Sequence, residues 1–136
     1  MELGRMKPEI KALWVDALRS GDFEQSDKKL HAWNQDGDEM FCALGVLCAL
    51  AVDNGVDIPV VDYCYEESNW LDGEPEHMAG CYVYDDQTEL LPTAVMAWAG
   101  LDTPSAYIEG LDASLVTIND IGTPFTEIAN LIERHL

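Results

Sequence analysis

The chain has 136 residues, 48% of them hydrophobic, and a formal net charge of -19. That length and apolar content suit one folded domain with a sizeable core and argue against intrinsic disorder. The charge makes nucleic acid and anionic membrane surfaces poor ligands.

No apolar run approaches the roughly 20 residues that span a bilayer, and the start "MELGRMKPEI" lacks the apolar segment of a signal peptide. A cytoplasmic protein is therefore expected, and in that reducing setting four cysteines are not by default a disulfide framework. The charge is unevenly placed. From Leu30 to Glu133 the chain carries twenty Asp and Glu and no Lys or Arg. Few ion pairs can form within that span, so its carboxylates must face water, an external cation or a basic partner.

Taken in order, Pro8 to Arg19 reads as an amphipathic helix, with Pro8 in its first turn, Ile10, Leu13, Trp14, Ala17 and Leu18 at helical spacing, and Gly21 just past its end. Asp22 to Phe41 resembles a short hairpin with Asp36 and Gly37 near the tip. "FCALGVLCALAV" then predicts a fully buried helix from Phe41 to Asp53, stopped by Asn54 and Gly55. Six positions on such a helix set Cys42 and Cys48 roughly 120° apart, so they cannot grip one metal ion together. Both read as core, with one alternative: Cys42, at the helix start, could have a lowered thiol pKa and be reactive.

Ile58 to Tyr65 and Cys81 to Tyr84 predict two strands, joined by the long polar connection "EESNWLDGEPEHMAG". Its Trp70 and Met78 either tuck into the core or stand out as anchors for a partner. Pro92 begins a short helix with Ala94, Val95 and Trp98 inward, ended by Gly100. A loop is expected from Asp102 to Asp112. Ser114 is placed to cap one helical turn, "LVTIND", and Gly122 breaks it. Thr123 and Pro124 open the last helix, with Phe125, Ile128, Ala129, Ile132 and Leu136 on one stripe. "FTEIANLI" is similar to the first helix of a helix-turn-helix, but no recognition helix follows and the charge is wrong for DNA. The fold expected is α+β: a small, predominantly helical single domain over residues 1–136. Its central buried helix is packed by the first, third and last helices against a small antiparallel sheet.

Chemistry leaves weaker marks. The best metal candidate is Cys64 with His77 and Cys81, from the zinc-like interval between His77 and Cys81 and the adjacent strands of the two cysteines. No C-x-x-C knuckle accompanies it, and two half-buried cysteines with a solvated histidine account for the same residues, so no metal and no cofactor are expected. A nucleophilic constellation of Cys42, His31, Asn119 and Asp120 can be imagined. The alternative is that Asn119 and Asp120 end a helical turn and bond its backbone. Paired carboxylates such as Glu66 and Glu67 are too common here to mark an acid and a base, and neither a calcium loop nor a phosphate-cradling glycine loop is present.

"LWVDALRSGDFEQ", "FCALGVLCALAV", "LLPTAVMAWAGL" and "INDIGTPFTEIANLIERHL", in that order, resemble a family of small proteins encoded by bacteriophages, especially those of actinobacteria, and by bacterial prophages. Members of that family often carry two adjacent cysteines where this chain has Cys42 and Ala43. The resemblance implies a setting, an accessory phage protein in a bacterial cytoplasm, and no catalytic residue.

The function expected is non-enzymatic binding of a host or phage protein with a basic surface, up to mimicry of DNA by rows of carboxylates. The interface would draw on Glu66, Glu67, Trp70, Asp72, Glu74, Glu76, Met78, Asp85, Asp86 and Glu89. Direct nucleic-acid or membrane binding is not expected, and the oligomeric state is left open. The alternatives are a small thiol- or metal-dependent enzyme, or acidity that serves only solubility or adaptation to high salt.

Overall fold

The computed structural model describes residues 6–26, 29–33, 38–64 and 80–136. Pro8 sits in the first turn of helix α1 (Pro8–Ser20), and Gly21 ends it in the left-handed region at φ +81°. The buried face is Ile10, Trp14, Val15 and Leu18; Leu13, expected on that stripe, is 39% exposed. The i, i+4 series through Trp14 sets the rotation of the helix, because the indole fills the core and its Nε1 donates to the carbonyl of Ala43 at 2.9 Å.

Strands β1 (His31–Trp33) and β2 (Glu39–Phe41) form the hairpin expected between Asp22 and Phe41, with His31 opposite Phe41 and Trp33 opposite Glu39. Its expected tip at Asp36 and Gly37 lies outside the described residues. Helix α2 (Ala43–Asp53) follows at once. With Cys42 in the cap position it begins two residues later than the apolar run suggests, because Phe41 belongs to β2, and Asn54 closes it with Gly55 beyond at φ +89°. From Ala43 to Cys48 every residue is buried, as a helix apolar on all sides must be.

Strands β3 (Val60–Cys64) and β4 (Gly80–Tyr84) pair antiparallel and complete a sheet in the order β2-β1-β4-β3. Helix α3 (Thr93–Ala99) runs from Pro92 to Gly100 as expected. The segment expected as a loop holds a small hairpin, β5 (Tyr107–Ile108) and β6 (Ala113–Ser114), around a 3-10 turn. Two-residue strands carry too little alternation to be read, yet Ile108 and Ala106 are fully buried there. Helix α4 (Leu115–Asp120) has Ser114 in its cap position, but the Ser114 hydroxyl lies toward the Thr117 hydroxyl and makes no cap bond to backbone. Helix α5 (Phe125–His135) buries the expected stripe.

The architecture is α+β, with α2 at the centre. Around it the expectation shifts by one helix. α1, α3 and α4 pack on α2, while α5 packs chiefly on α1 and α4. One helix of this fold touches the core through glycine: at Gly45 of α2 the backbone meets the carbonyl of Leu30, just before β1, so closely that no side chain fits.

Candidate functional site

The polar groups that the fold buries are the first place to look for chemistry. In the β1-β2 register, His31, Trp33, Glu39 and Phe41 share one face, and the β1-β4 register adds Tyr82 and Tyr84 to it. The His31 ring lies between Phe41 and Tyr82, with centroids at 4.0 and 4.2 Å. Its Nε2 is 2.7 Å from Glu39 Oε1 and its Nδ1 is 2.8 Å from the Tyr84 hydroxyl. A carboxylate only accepts, so in the neutral ring Nε2–H donates to Glu39 and Nδ1 accepts from Tyr84 O–H. Burial pulls the His31 pKa down more than Glu39 raises it, and burial likewise pushes the Tyr84 phenol up. His31 and Tyr84 are thus neutral, mutually satisfied groups beneath the exposed Glu39 carboxylate.

Cys42, Cys48 and Cys81 behave as core. The Cys42 thiol is pushed up to about 11, because burial outweighs the backbone N–H groups of Gly45 and Leu44 that favour its charged form. This overturns the alternative of a lowered pKa at the helix start: the amide groups are there, but the site is dry. Burial raises Cys48 and Cys81 as well.

The imagined constellation comes together only in part. Asn119 does reach the Cys42 end of α2, where its Oδ1 accepts from Ala43 N–H at 3.1 Å and from Gln25 Nε2 at 3.0 Å. Its Nδ2 donates to the Ser26 carbonyl at 2.8 Å. Asn119 is therefore the cap of α2 supplied from α4, and the expectation that its side chain closes its own helical turn is corrected. His31 has both ring nitrogens engaged elsewhere. A nucleophile and its base do not meet here.

Of the metal candidates, Cys64 pairs with Gly80 in the sheet and Cys81 with Tyr63, so the register staggers the two cysteines by one position. His77 lies outside the described residues, among which no three potential ligands gather.

The proposed partner residues fall into two groups. Glu66, Glu67, Trp70, Asp72, Glu74, Glu76 and Met78 lie outside the described residues; the connection that carries them leaves β3 at Cys64 and enters β4 at Gly80. Asp85 and Asp86 sit past the other end of β4, about 17 Å away along a five-residue strand. They form a tight turn at φ +50° and +69°, closed by reciprocal backbone bonds of 2.9 Å between Tyr84 and Gln87. This is the mirror-image turn that matches strand twist, and Asp tolerates its left-handed conformation better than most residues. Asp85 also lines a half-open groove of about 380 Å³ with Leu90, Pro92, Met96 and Pro104. Glu89, named among the partner-facing carboxylates, has Lys29 Nζ at 3.6 Å, a half-exposed contact of small energetic weight.

The other four described Lys and Arg gather elsewhere: Lys7, Lys11 and Arg19 belong to α1 or its start and Arg134 to α5, two helices packed on each other. There Arg19 grips Glu133 through two hydrogen bonds of 2.8 and 3.2 Å and also bonds Asn130 at 2.7 Å. The sheet has no cation of its own. The helix cap at Asn119, the His31 hydrogen bonds and the Gly45 contact were not legible as such. His31 and Glu39 do flank a predicted hairpin tip, a signal that becomes informative only with the register.

No helix among the described residues is long and apolar enough to cross a membrane. No curated protein and no solved structure matches the chain. A family model does: from residue 6 to residue 136 the chain matches the one described as a domain of unknown function, DUF8296, and it belongs to that family.

Proposed function

We propose that the protein is a non-enzymatic accessory protein, of the phage or prophage kind its sequence resembles, that binds a host or phage protein by presenting carboxylates to a basic surface. One observation carries the reading: the charges are segregated, with the described helix cations on α1 and α5 and none from Leu30 to Glu133, the span that builds the whole sheet. A surface evolved only for solubility does as well with both signs interspersed. Uncompensated carboxylates cost stability by mutual repulsion, and a basic partner relieves that cost on binding while steering encounter. The buried thiols and the fully engaged His31 favour this reading over thiol chemistry.

The test is capture of partners from bacterial cells by two variants. One carries Gln or Asn at Glu66, Glu67, Asp72, Glu74, Glu76, Asp85, Asp86 and Glu89; the other is altered at Trp70 and Met78. The reading expects capture to fall in the first variant and to weaken with added salt in the unaltered protein. Undiminished, salt-insensitive capture by the charge variant would reduce the acidity to a solubility device. Loss confined to the second variant would move the interface to an apolar anchor.

A further inference from the structure

The half-open groove of about 380 Å³ between the β4 turn and the start of α3 has one charged end and apolar walls. Every residue that lines it belongs to the described chain, and the connection from Cys64 to Gly80 meets the sheet at the opposite end of β4 from Asp85. Leu91 and Pro92, both buried, form its floor; Met96 is half-buried and Leu90 is 37% exposed. Backbone bonds hold this shape in advance of any ligand. Leu91 N–H donates to the Pro104 carbonyl at 2.9 Å, and the rings of Pro92 and Pro104 fix their own φ. Asp85 is held by the reciprocal bonds between Tyr84 and Gln87 and by its own N–H, which donates to the Pro59 carbonyl at 2.8 Å. Three polar side chains line the groove: the Asp85 carboxylate, the Gln87 amide and the Thr93 hydroxyl. Among the described residues none of the three has a side-chain hydrogen bond or ion pair. A preformed, largely apolar concavity with a few unused polar groups is the usual form of a binding site, and its volume is within the roughly 300–1,000 Å³ of such sites.

We infer that this groove receives an arginine side chain of the partner protein, with the guanidinium on Asp85 and Gln87 and the stem, with an adjoining apolar residue, along Leu90, Pro92 and Met96. The choice of occupant follows from charge and shape. Asp85 is the one ionisable group in the lining, with Asp86 next to it in the turn, so an anion is opposed there and by the net charge of -19. A wholly apolar occupant would cover the Asp85 carboxylate without pairing it, which is costly. A cation on an apolar stem satisfies both parts of the groove. Between the two basic side chains, arginine fits better. Its planar guanidinium pairs with a carboxylate through two N–H groups and keeps others for the Gln87 carbonyl, and it is more weakly hydrated than the lysine ammonium, so it loses less on entering apolar walls. The volume exceeds one side chain, which leaves room for the apolar neighbour. The inference rests on the basic-partner reading above and adds the residue recognised and the place.

Three acetylated, amidated tripeptides test it on the full chain: Leu-Arg-Leu, Leu-Lys-Leu and Leu-citrulline-Leu, in which citrulline keeps the shape of arginine without its charge. Each is titrated into isotope-labelled protein and the backbone amides are followed by NMR. The arginine peptide is expected to shift the amides of Asp85, Gln87, Leu90 and Met96 and to bind about tenfold more tightly than the citrulline peptide, with the lysine peptide between them. Asp85→Asn, which keeps a residue tolerant of the φ of +50°, should abolish the difference between arginine and citrulline. Leu90→Ser should weaken both about threefold. Equal affinity of the arginine and citrulline peptides would overturn the cationic occupant, and equal affinity of arginine and lysine would overturn the choice of guanidinium. Absence of shifts in the groove at millimolar peptide, or shifts elsewhere that neither substitution alters, would overturn the groove and leave the basic-partner reading standing. Failure of that reading looks different: the variant neutralised at eight carboxylates then captures partners undiminished, and the groove loses its partner with it.

Discussion

Replacing Gly45 with alanine tests the central seam of the fold. A Cβ on Gly45 would lie 1.5 Å from the Leu30 carbonyl oxygen, 2.4 Å from its carbon and 2.9 Å from its Cα, all of them backbone atoms. Ordinary contact needs about 3.5 Å, so one chain must move by about 2 Å. Neither is free to move. Leu30 is fully buried, its N–H donates to the Thr88 carbonyl at 2.7 Å, and its carbonyl accepts from Cys42 N–H at 3.3 Å. Overpacking of such a junction costs about 3 kcal/mol or more. Alanine's better helix propensity offsets about 1 kcal/mol of that. The net loss expected is about 2 kcal/mol, or about 8 °C in Tm for a chain of this size. Denaturant titration and thermal melting measure it, with Gly21→Ala as the control. Gly21 has φ +81° and nothing within 4 Å, so that variant pays only for a left-handed backbone, about 1 kcal/mol. Equal or smaller destabilisation by Gly45→Ala would refute the steric argument, since space, not conformation, is what separates the two sites.

Asn119→Leu strands Ala43 N–H and the Ser26 carbonyl, and should cost about 2–4 kcal/mol in chemical denaturation, whereas an unchanged midpoint would deny Asn119 its capping role. The His31 pKa should titrate below 6.5 by NMR and fall further in Glu39→Gln, because Glu39 supplies the pull upward. Since the folded value lies below the unfolded one, the His31 contribution to stability is full above pH 6.5 and is lost as pH falls through the folded pKa. A thiol at about 11 is ionised to only about one part in a thousand at pH 8, so Cys42 should resist iodoacetamide in the native protein and react on unfolding; prompt native labelling would contradict its burial. The isolated protein should melt at a higher temperature in moderate sodium chloride than in dilute buffer, through screening of repulsion beyond the Debye length of about 10 Å at 0.1 M; a lower Tm in salt would mean that ion pairs dominate instead.

How much of this was legible in the sequence depended on the range of the interaction. Helices that carry their own start and stop signals, such as α1 between Pro8 and Gly21 or α3 between Pro92 and Gly100, could be placed from local chemistry alone. The α5 stripe was readable because one face meets one core. Contacts between distant segments were not. Asn119 looks like the end of its own helix until Ala43, 76 residues away, is seen to present an amide to it. Leu13 and Val15 fit helical stripes of slightly different rotation, and the choice between them is made by Trp14 seating its indole against Ala43. Cys42 shows the same limit in energetic form. A helix start argues for a reactive thiol, and only the depth of burial, a property of the assembled fold, reverses the sign.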